Sequence, residues 1–189
     1  MRQRVSNVRI VAGKFKGLKI PFRASKYIRP TTNKTKETIF NWLMENVQGS
    51  VCLDMFAGTG SLGLEALSRG ASYVYFAEKN RRLSEELYKT TIKLKVKKNC
   101  EIMTIDSLRF PFEKKIKKNL DIIFIDPPFR KNYLERAFNL ILDKDFIDDK
   151  TLISCEIEKE KEIESILLHW NLIKSKVSGQ SRYCLFKRK

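Results

Sequence analysis

The segment Asp54-Met55-Phe56-Ala57-Gly58-Thr59-Gly60-Ser61-Leu62-Gly63 stands between a short apolar run and a helical pattern. Gly58, Gly60 and Gly63 fit the G-x-G-x-x-G turn that lets a backbone approach a nucleotide, and Glu78 follows twenty residues after Gly58, where an acid receives ribose hydroxyls. Two ligand types share these needs. A dinucleotide brings a pyrophosphate, which the fixed charge of Asp54 at the loop mouth would repel. S-adenosylmethionine (SAM) has the ribose and adenine but no phosphate, and its ammonium and sulfonium suit an acidic, glycine-lined mouth. The residues therefore favour SAM over a nicotinamide or flavin dinucleotide.

A second constellation is Asp126-Pro127-Pro128-Phe129, after the wholly apolar run Ile122-Ile123-Phe124-Ile125. Proline has a fixed φ and no N–H, so this segment is stiff and its carbonyls are free acceptors. The Asp126 carboxylate and the Pro127 carbonyl match the two N–H donors of an exocyclic base amine, and Phe129 offers a face for a purine. No covalent nucleophile or metal is needed for such chemistry. His169, the only histidine, lies beside Trp170 in an apolar stretch and reads as structural. Cys52, Cys100, Cys155 and Cys184 are widely spaced, without a C-x-x-C pair, and read as buried reduced thiols of a cytoplasmic protein.

These groups need a frame that brings strand ends together. From residue 50, runs rich in β-branched and aromatic residues (50–56, 72–78, 100–106, 120–126 and 151–157) alternate with helical patterns at 60–69, 80–97, 131–144 and 159–168. That rhythm predicts a parallel α/β sheet with helices on both faces. Residues 171–189 read instead as an antiparallel hairpin through Gly179-Gln180. The first four strands end in Asp54, Glu78, Asp106 and Asp126, at the edge where open sheets bind ligands, and four successive acids point to one shared ligand. Ahead of them, residues 8–22 alternate apolar and polar around Gly13 and Gly17 as a β-hairpin would, and a helix is expected after Arg29-Pro30-Thr31-Thr32-Asn33.

Charge is distributed unevenly along the 189 residues. The net charge is +16, yet residues 1–36 hold 11 Lys/Arg and residues 174–189 hold 6, with no acid in either segment. Residues 37–173 are balanced to within one charge. Two basic ends around a neutral body are the footprint of a polyanionic partner. No apolar run approaches the ~18 residues of a membrane span, and the N-terminus lacks the apolar core of a secretory signal.

The blocks RIVAGKFKGLKI, RPTTNKTKETIFNWL, CLDMFAGTGSLGLEALSRGA and FIDPPF resemble, from residue 9 to about 129, the bacterial 16S ribosomal RNA guanine-N2 methyltransferases of the RsmD type, within the class I SAM-dependent methyltransferases. The resemblance implies a Rossmann-like α/β fold: a mostly parallel seven-stranded sheet, helices on both faces, a C-terminal antiparallel hairpin and a small N-terminal β-hairpin. It divides the chain into a basic extension over 1–30 and a methyltransferase domain over 31–189. It further implies that Asp54, Phe56, Gly58 and Gly60 line the methionine end of SAM, that Glu78 holds the ribose, and that Asp106 and Ser107 meet the adenine. Asp126, Pro127 and Phe129 would receive the target guanine. Arg9, Lys14, Lys16, Lys19, Arg29, Arg130 and Lys131 would contact ribosomal RNA, within the small subunit or its assembly intermediate. The expected enzyme is a cytoplasmic monomer without a metal. A DNA adenine-N6 or other RNA base-amine methyltransferase is the alternative. One departure is visible: the family's usual Asn after the second strand is replaced within Lys89-Thr90-Thr91-Ile92.

Overall fold

The structure, a computed structural model, describes residues 5–23, 32–109, 114–128 and 132–189. Strands β1 (Val5–Arg9) and β2 (Lys19–Arg23) pair antiparallel as a small separate sheet. After α1 (Asn33–Trp42) come β3 (Val51–Asp54), α2 (Ser61–Ser68), β4 (Tyr73–Ala77), α3 (Arg81–Lys93) and β5 (Cys100–Met103). The chain continues through β6 (Ile122–Ile125), α4 (Tyr133–Ile141), β7 (Leu152–Glu158), α5 (Glu164–Leu167), β8 (Trp170–Ser178) and β9 (Ser181–Arg188).

The large sheet has the order β5-β4-β3-β6-β7-β9-β8. Five strands are parallel, β9 runs antiparallel to β7, and β8 runs antiparallel to β9. The chain winds outward from β3 to β5 and then returns to lay β6 against the other side of β3. The strand order reverses there, which opens a crevice at the carboxyl ends of β3 and β6. Asp54 and Asp126 stand at those two ends.

Each face of the sheet carries its own apolar layer. On one face, Phe40 of α1, Leu64 and Ala66 of α2 and Leu87 of α3 pack with Cys52, Phe76, Ile122 and Phe124. Val8, Ile10, Ile20 and Phe22 belong to this same cluster, so the inner side of the N-terminal hairpin is part of the domain core. On the other face, Phe138 of α4 meets Trp170 and Phe186 edge-on, with ring centroids 5.6 and 5.3 Å apart. β6 is buried along its whole length, as expected for a central parallel strand.

The strand–helix rhythm read from the sequence is the observed one, with trimmed ends. The largest difference is α5, predicted over 159–168 but confined to Glu164–Leu167. Apolar periodicity begins only at Ile163, and Ile163 has no side-chain oxygen to cap the helix, so the preceding Glu/Lys stretch forms a turn closed by the Lys161 N–H on the Glu158 carbonyl (3.0 Å).

α2 is buried at all eight positions, including Glu65, whose side chain is 0% exposed. The Glu65 carboxylate accepts the backbone N–H groups of Val11 (2.8 Å) and Ala12 (3.0 Å) and the Arg69 Nε–H (2.9 Å). Lys36 Nζ, equally buried, lies 3.7 Å from the same carboxylate and donates to the Arg9 carbonyl. Burial pulls the Lys36 pKa below its ordinary value, against the opposing attraction of Glu65. Ser68 at the end of α2 completes the attachment: its carbonyl accepts the Lys14 N–H (2.7 Å) and its hydroxyl accepts the Phe15 N–H (2.9 Å). A Cβ at Gly13 would meet the Ser68 carbonyl oxygen at 1.9 Å, so only glycine lets the hairpin lie this close.

Removing one partner of a buried charge cluster leaves the others uncompensated. Glu65→Ala should cost about 3–5 kcal/mol in urea unfolding. Lys36→Met should cost distinctly less, because Glu65 keeps Arg69 and the two amides.

Candidate active site

Between β3 and α2 the backbone must reverse within a few residues. Gly58 (φ +53°) and Gly60 (φ +77°) take left-handed conformations that other residues rarely adopt. A Cβ at Gly60 would also stand 2.4 Å from Leu87 Cδ1. Gly63 serves packing instead: a Cβ there would lie 2.2 Å from Phe76 Cε1, so its absence lets α2 sit against β4. The loop is tied to its neighbours by Met55 N–H on Phe124 O (3.0 Å), Ala57 N–H on Ala77 O (3.0 Å) and Gly60 N–H on Ala57 O (2.6 Å).

The strand-end acids hold this turn. The sequence places Asp54 as a fixed charge at the loop mouth; the structure buries it under the loop at 2% exposure, where Oδ2 accepts the Gly63 N–H (3.0 Å). Burial pushes its pKa up to about 7; the Gly63 amide opposes this shift and the charge of Glu78 adds to it. Glu78 is half-buried, with Oε2 accepting the Gly58 N–H (2.8 Å) and Oε1 the Asn80 N–H (2.7 Å). Asn80 in turn caps α3 through Arg82 and Leu83, and the Ser84 hydroxyl donates to the Glu78 carbonyl (3.1 Å). At the end of β5, the buried Ser107 donates its hydroxyl to the Met55 carbonyl, and Asp106 Oδ1 accepts the Leu108 N–H (3.1 Å). The ends of β3, β4 and β5 are thus stitched into one rim.

Asp126 is half-buried at the end of β6, followed by a buried Pro127 and an exposed Pro128. Its charge helps to raise the pKa values of Tyr183 and Cys155, after the larger contribution of their own burial. Phe129, Arg130, Lys131 and Arg29 lie outside the described residues. Phe56 lies parallel to Tyr133 at the start of α4, with 6.4 Å between centroids and 7° between planes. Lys79 and Arg136 approach the same Tyr133 ring at 5.6 and 6.0 Å.

Two residues of this rim were not singled out from sequence. Tyr133 is one; its signal was an aromatic residue four positions beyond Phe129. Ser61, the first residue of α2, is the other. Among the described residues its buried hydroxyl has no hydrogen-bond partner, an orphan beside the glycine turn.

The N-terminal cations occupy a different place. Arg9 and Lys19 are directly opposed and exposed on the outer face of the hairpin, while their neighbours Val8 and Ile20 face inward. Lys14 and Lys16 sit at the hairpin turn, bonded near Ser68. That is the far end of α2, about 12 Å of helix away from the glycine turn. Among the described residues, no group of three or more His, Cys, Asp or Glu side chains could hold a metal, and the four cysteines are free and buried.

A seven-stranded sheet in this order, with a glycine turn at its middle strand and Asp126-Pro127-Pro128 at the adjacent strand end, defines a class I methyltransferase. The family model described as Conserved hypothetical protein 95 matches residues 8–187, and the chain belongs to that family. Ribosomal RNA small subunit methyltransferase D of Escherichia coli K12 is 39% identical over 181 residues, covering 96% of this chain and 90% of that protein. The solved structure of the methyltransferase yhhF from Escherichia coli superposes with a TM-score of 0.86 at 35% identity, over 97% of this chain and 99% of that one. A methylase structure from Haemophilus influenzae gives 0.79 at 36% identity, with the same two coverages.

The raised pKa of Asp54 makes stability depend on pH. Protonated Asp54 contributes stability that is fully present below the unfolded value near 4 and is lost as pH rises through about 7. Asp54→Asn keeps an acceptor for Gly63 and should flatten this slope. The ligand-free variant should then be more stable than the parent at pH 8, by on the order of 2–4 kcal/mol, as read by urea titrations from pH 4 to 8.

Proposed function

We propose that this protein transfers a methyl group from SAM to the exocyclic N2 amine of a guanine in small-subunit (16S) ribosomal RNA. The observation that carries the reading is the placement of Asp126-Pro127 beside the glycine turn at the switch point of the sheet. The full-length similarity to Ribosomal RNA small subunit methyltransferase D supports the choice of RNA.

The hydrogen bonds of the loop support SAM against a dinucleotide. A pyrophosphate needs free backbone N–H donors at the helix N-terminus. Here the Gly58 N–H is taken by Glu78 and the Gly63 N–H by Asp54, so two carboxylates occupy donors a pyrophosphate would use. The orphan Ser61 hydroxyl remains for a polar ligand atom. Asp54, Phe56, Gly58 and Gly60 form the methionine end of the crevice, with Asp54 acting through the turn it braces. Each Glu78 oxygen retains a lone pair for a ribose hydroxyl. Asp106 and Ser107 flank the adenine.

SAM supplies a methyl group activated on a sulfonium. The guanine N2 is a poor nucleophile because its lone pair is delocalised into the ring. Hydrogen bonds from its two N–H groups to the Asp126 carboxylate and the Pro127 carbonyl favour a pyramidal nitrogen and aim the lone pair at the methyl carbon. As the C–N bond forms and the S–C bond breaks, the nitrogen proton leaves to Asp126 or to water. Phe129 stacks on the base, which must first leave its helix or come from an unpaired loop.

The basic extension over residues 1–30 holds RNA through Arg9, Lys14, Lys16, Lys19 and Arg29, together with Arg130 and Lys131. The arrangement suits a cytoplasmic monomer acting on the small subunit or an assembly intermediate. Among the described residues, no helix is long and apolar enough to cross a membrane.

The test is to incubate the protein with labelled SAM and, separately, small subunits, 16S rRNA, tRNA and DNA, and to identify the methylated nucleoside. N2-methylguanosine from the small subunit or its RNA is expected, and N6-methyladenine in DNA would overturn the assignment. Asp126→Ala should lower kcat by about 10²-fold or more while SAM affinity, read by calorimetry, changes far less.

A further inference from the structure

β8 is exposed in a way no other strand of the large sheet is. Trp170 anchors its start at 1% exposure, but every residue from Asn171 to Gln180 is exposed, about 30 Å of strand and turn with exposed side chains on both faces. A bulge between Leu172 and Lys174 leaves Ile173 outside the register. The stretch Asn171–Lys189 holds six Lys/Arg and no acid.

The register places this edge relative to the site. Lys176 pairs with Tyr183, Tyr183 pairs with Glu156, and Glu156 follows Cys155, the partner of Ile125. Lys176 is therefore level with Asp126, at the carboxyl edge of the sheet. From β6 to β8 there are three strand spacings of about 4.8 Å, or roughly 14 Å. Lys174 and Lys176 share a face with Leu185 and Tyr183, the face that carries α1. Lys176 Nζ lies 3.5 Å from Thr38 Oγ1, and the Thr35 hydroxyl donates to Tyr183 (3.0 Å), which docks the hairpin on α1. The other cations of the hairpin are partly engaged: Arg188 lies 4.0 Å from Asp143, and Arg182 donates to the Lys161 carbonyl. Among the described residues, neither Lys174 nor Lys176 has a carboxylate within ion-pairing distance.

We propose that β8, through Lys174 and Lys176, is an RNA-docking edge that holds backbone phosphates of the ribosomal RNA flanking the target base. The proposal rests on the reading of the protein as a ribosomal RNA methyltransferase. Lys176, level with the acceptor carboxylate and roughly 14 Å to its side, and Lys174, two residues back along the strand in the row of Phe124, both fall well inside a specific nucleic-acid interface, which buries about 1,000 Å² or more. The N-terminal lysines at the hairpin turn sit near the opposite end of α2, so β8 supplies positive charge on the catalytic side that they do not. Exposed edge strands also carry lysine simply to prevent strand addition, and this role sets the design of the test.

Glutamate guards an edge as lysine does but repels phosphate. In Lys174→Glu/Lys176→Glu, KM for small subunits should rise about tenfold or more, and the log–log salt slope of 16S rRNA binding should shrink by about 1.4–1.8, the value for two phosphate contacts. SAM affinity and the melting temperature should match the parent. The milder Lys174→Gln/Lys176→Gln should shrink the slope equally, with a smaller loss of affinity. An unchanged slope in soluble, folded variants would overturn the proposal and leave the lysines as edge guards. A raised KM on subunits with an unchanged slope on naked rRNA would also overturn it, by pointing to an acidic protein partner. If the parent protein methylated no ribosomal RNA, the functional reading itself would fail, whereas the binding slopes would still test the edge.

Discussion

One buried carboxylate holds the two sheets of this protein together. Glu65 sits in the middle of a helix with no exposed residue, where an unpaired charge would be intolerable; it accepts from the N-terminal segment and from Arg69 at the end of its own helix, and it faces Lys36 of α1. The geometry is mutual. The hairpin backbone needs acceptors for Val11 and Ala12, Lys36 needs a counter-charge, and α2 needs a cover for its outer side. A neutral residue at position 65 would leave all three needs open at once, in a low-dielectric setting where each is costly. Because α2 begins at the glycine turn, the segment that fastens the hairpin also fixes the helix at whose head the crevice at the strand ends opens.

The crevice uses acids differently from the simple picture of charges facing a ligand. Asp54 and Glu78 each accept a loop N–H, so they shape the turn and at the same time remove donors that would attract phosphate. One pair of interactions thus ties the turn to the ends of β3 and β4 and occupies two of its backbone donors. Asp54, being buried, resists ionisation, and its charge state is linked to the compactness of the loop above it. Glu78 is half-exposed and so can serve a ligand while bracing Gly58. Ser107 and Met55 link the β5 end to the same rim, which makes the crevice one connected hydrogen-bonded structure.

Cations lie on both ends of the chain, but the fold sends them to separate places. The hairpin turn with Lys14 and Lys16 lies near the far end of α2, whereas β8 brings Lys176 level with Asp126. A substrate touching both would meet the same face of the protein over a long path, suited to a large folded RNA better than to a short single strand.

The sequence by itself determined the strand–helix rhythm, the glycine turn and the stiff Asp126-Pro127-Pro128 segment after β6, because each depends on local chemistry: alternation, β-branching, positive φ and fixed proline torsions. It also determined that both chain ends would be basic. Tertiary structure alone decided that Asp54 is buried under the turn, that Ser61 finds no partner among the described residues, and that Phe56 lies parallel to Tyr133. It also decided the shortness of α5 and the separation of the lysine groups. These depend on which segments meet across the fold, through strand order and the burial it imposes. Nothing in the spacing of Glu65, Lys36 and Val11 along the chain announces that they share one interior site; only the packing of the hairpin onto α2 removes their water and makes them need each other.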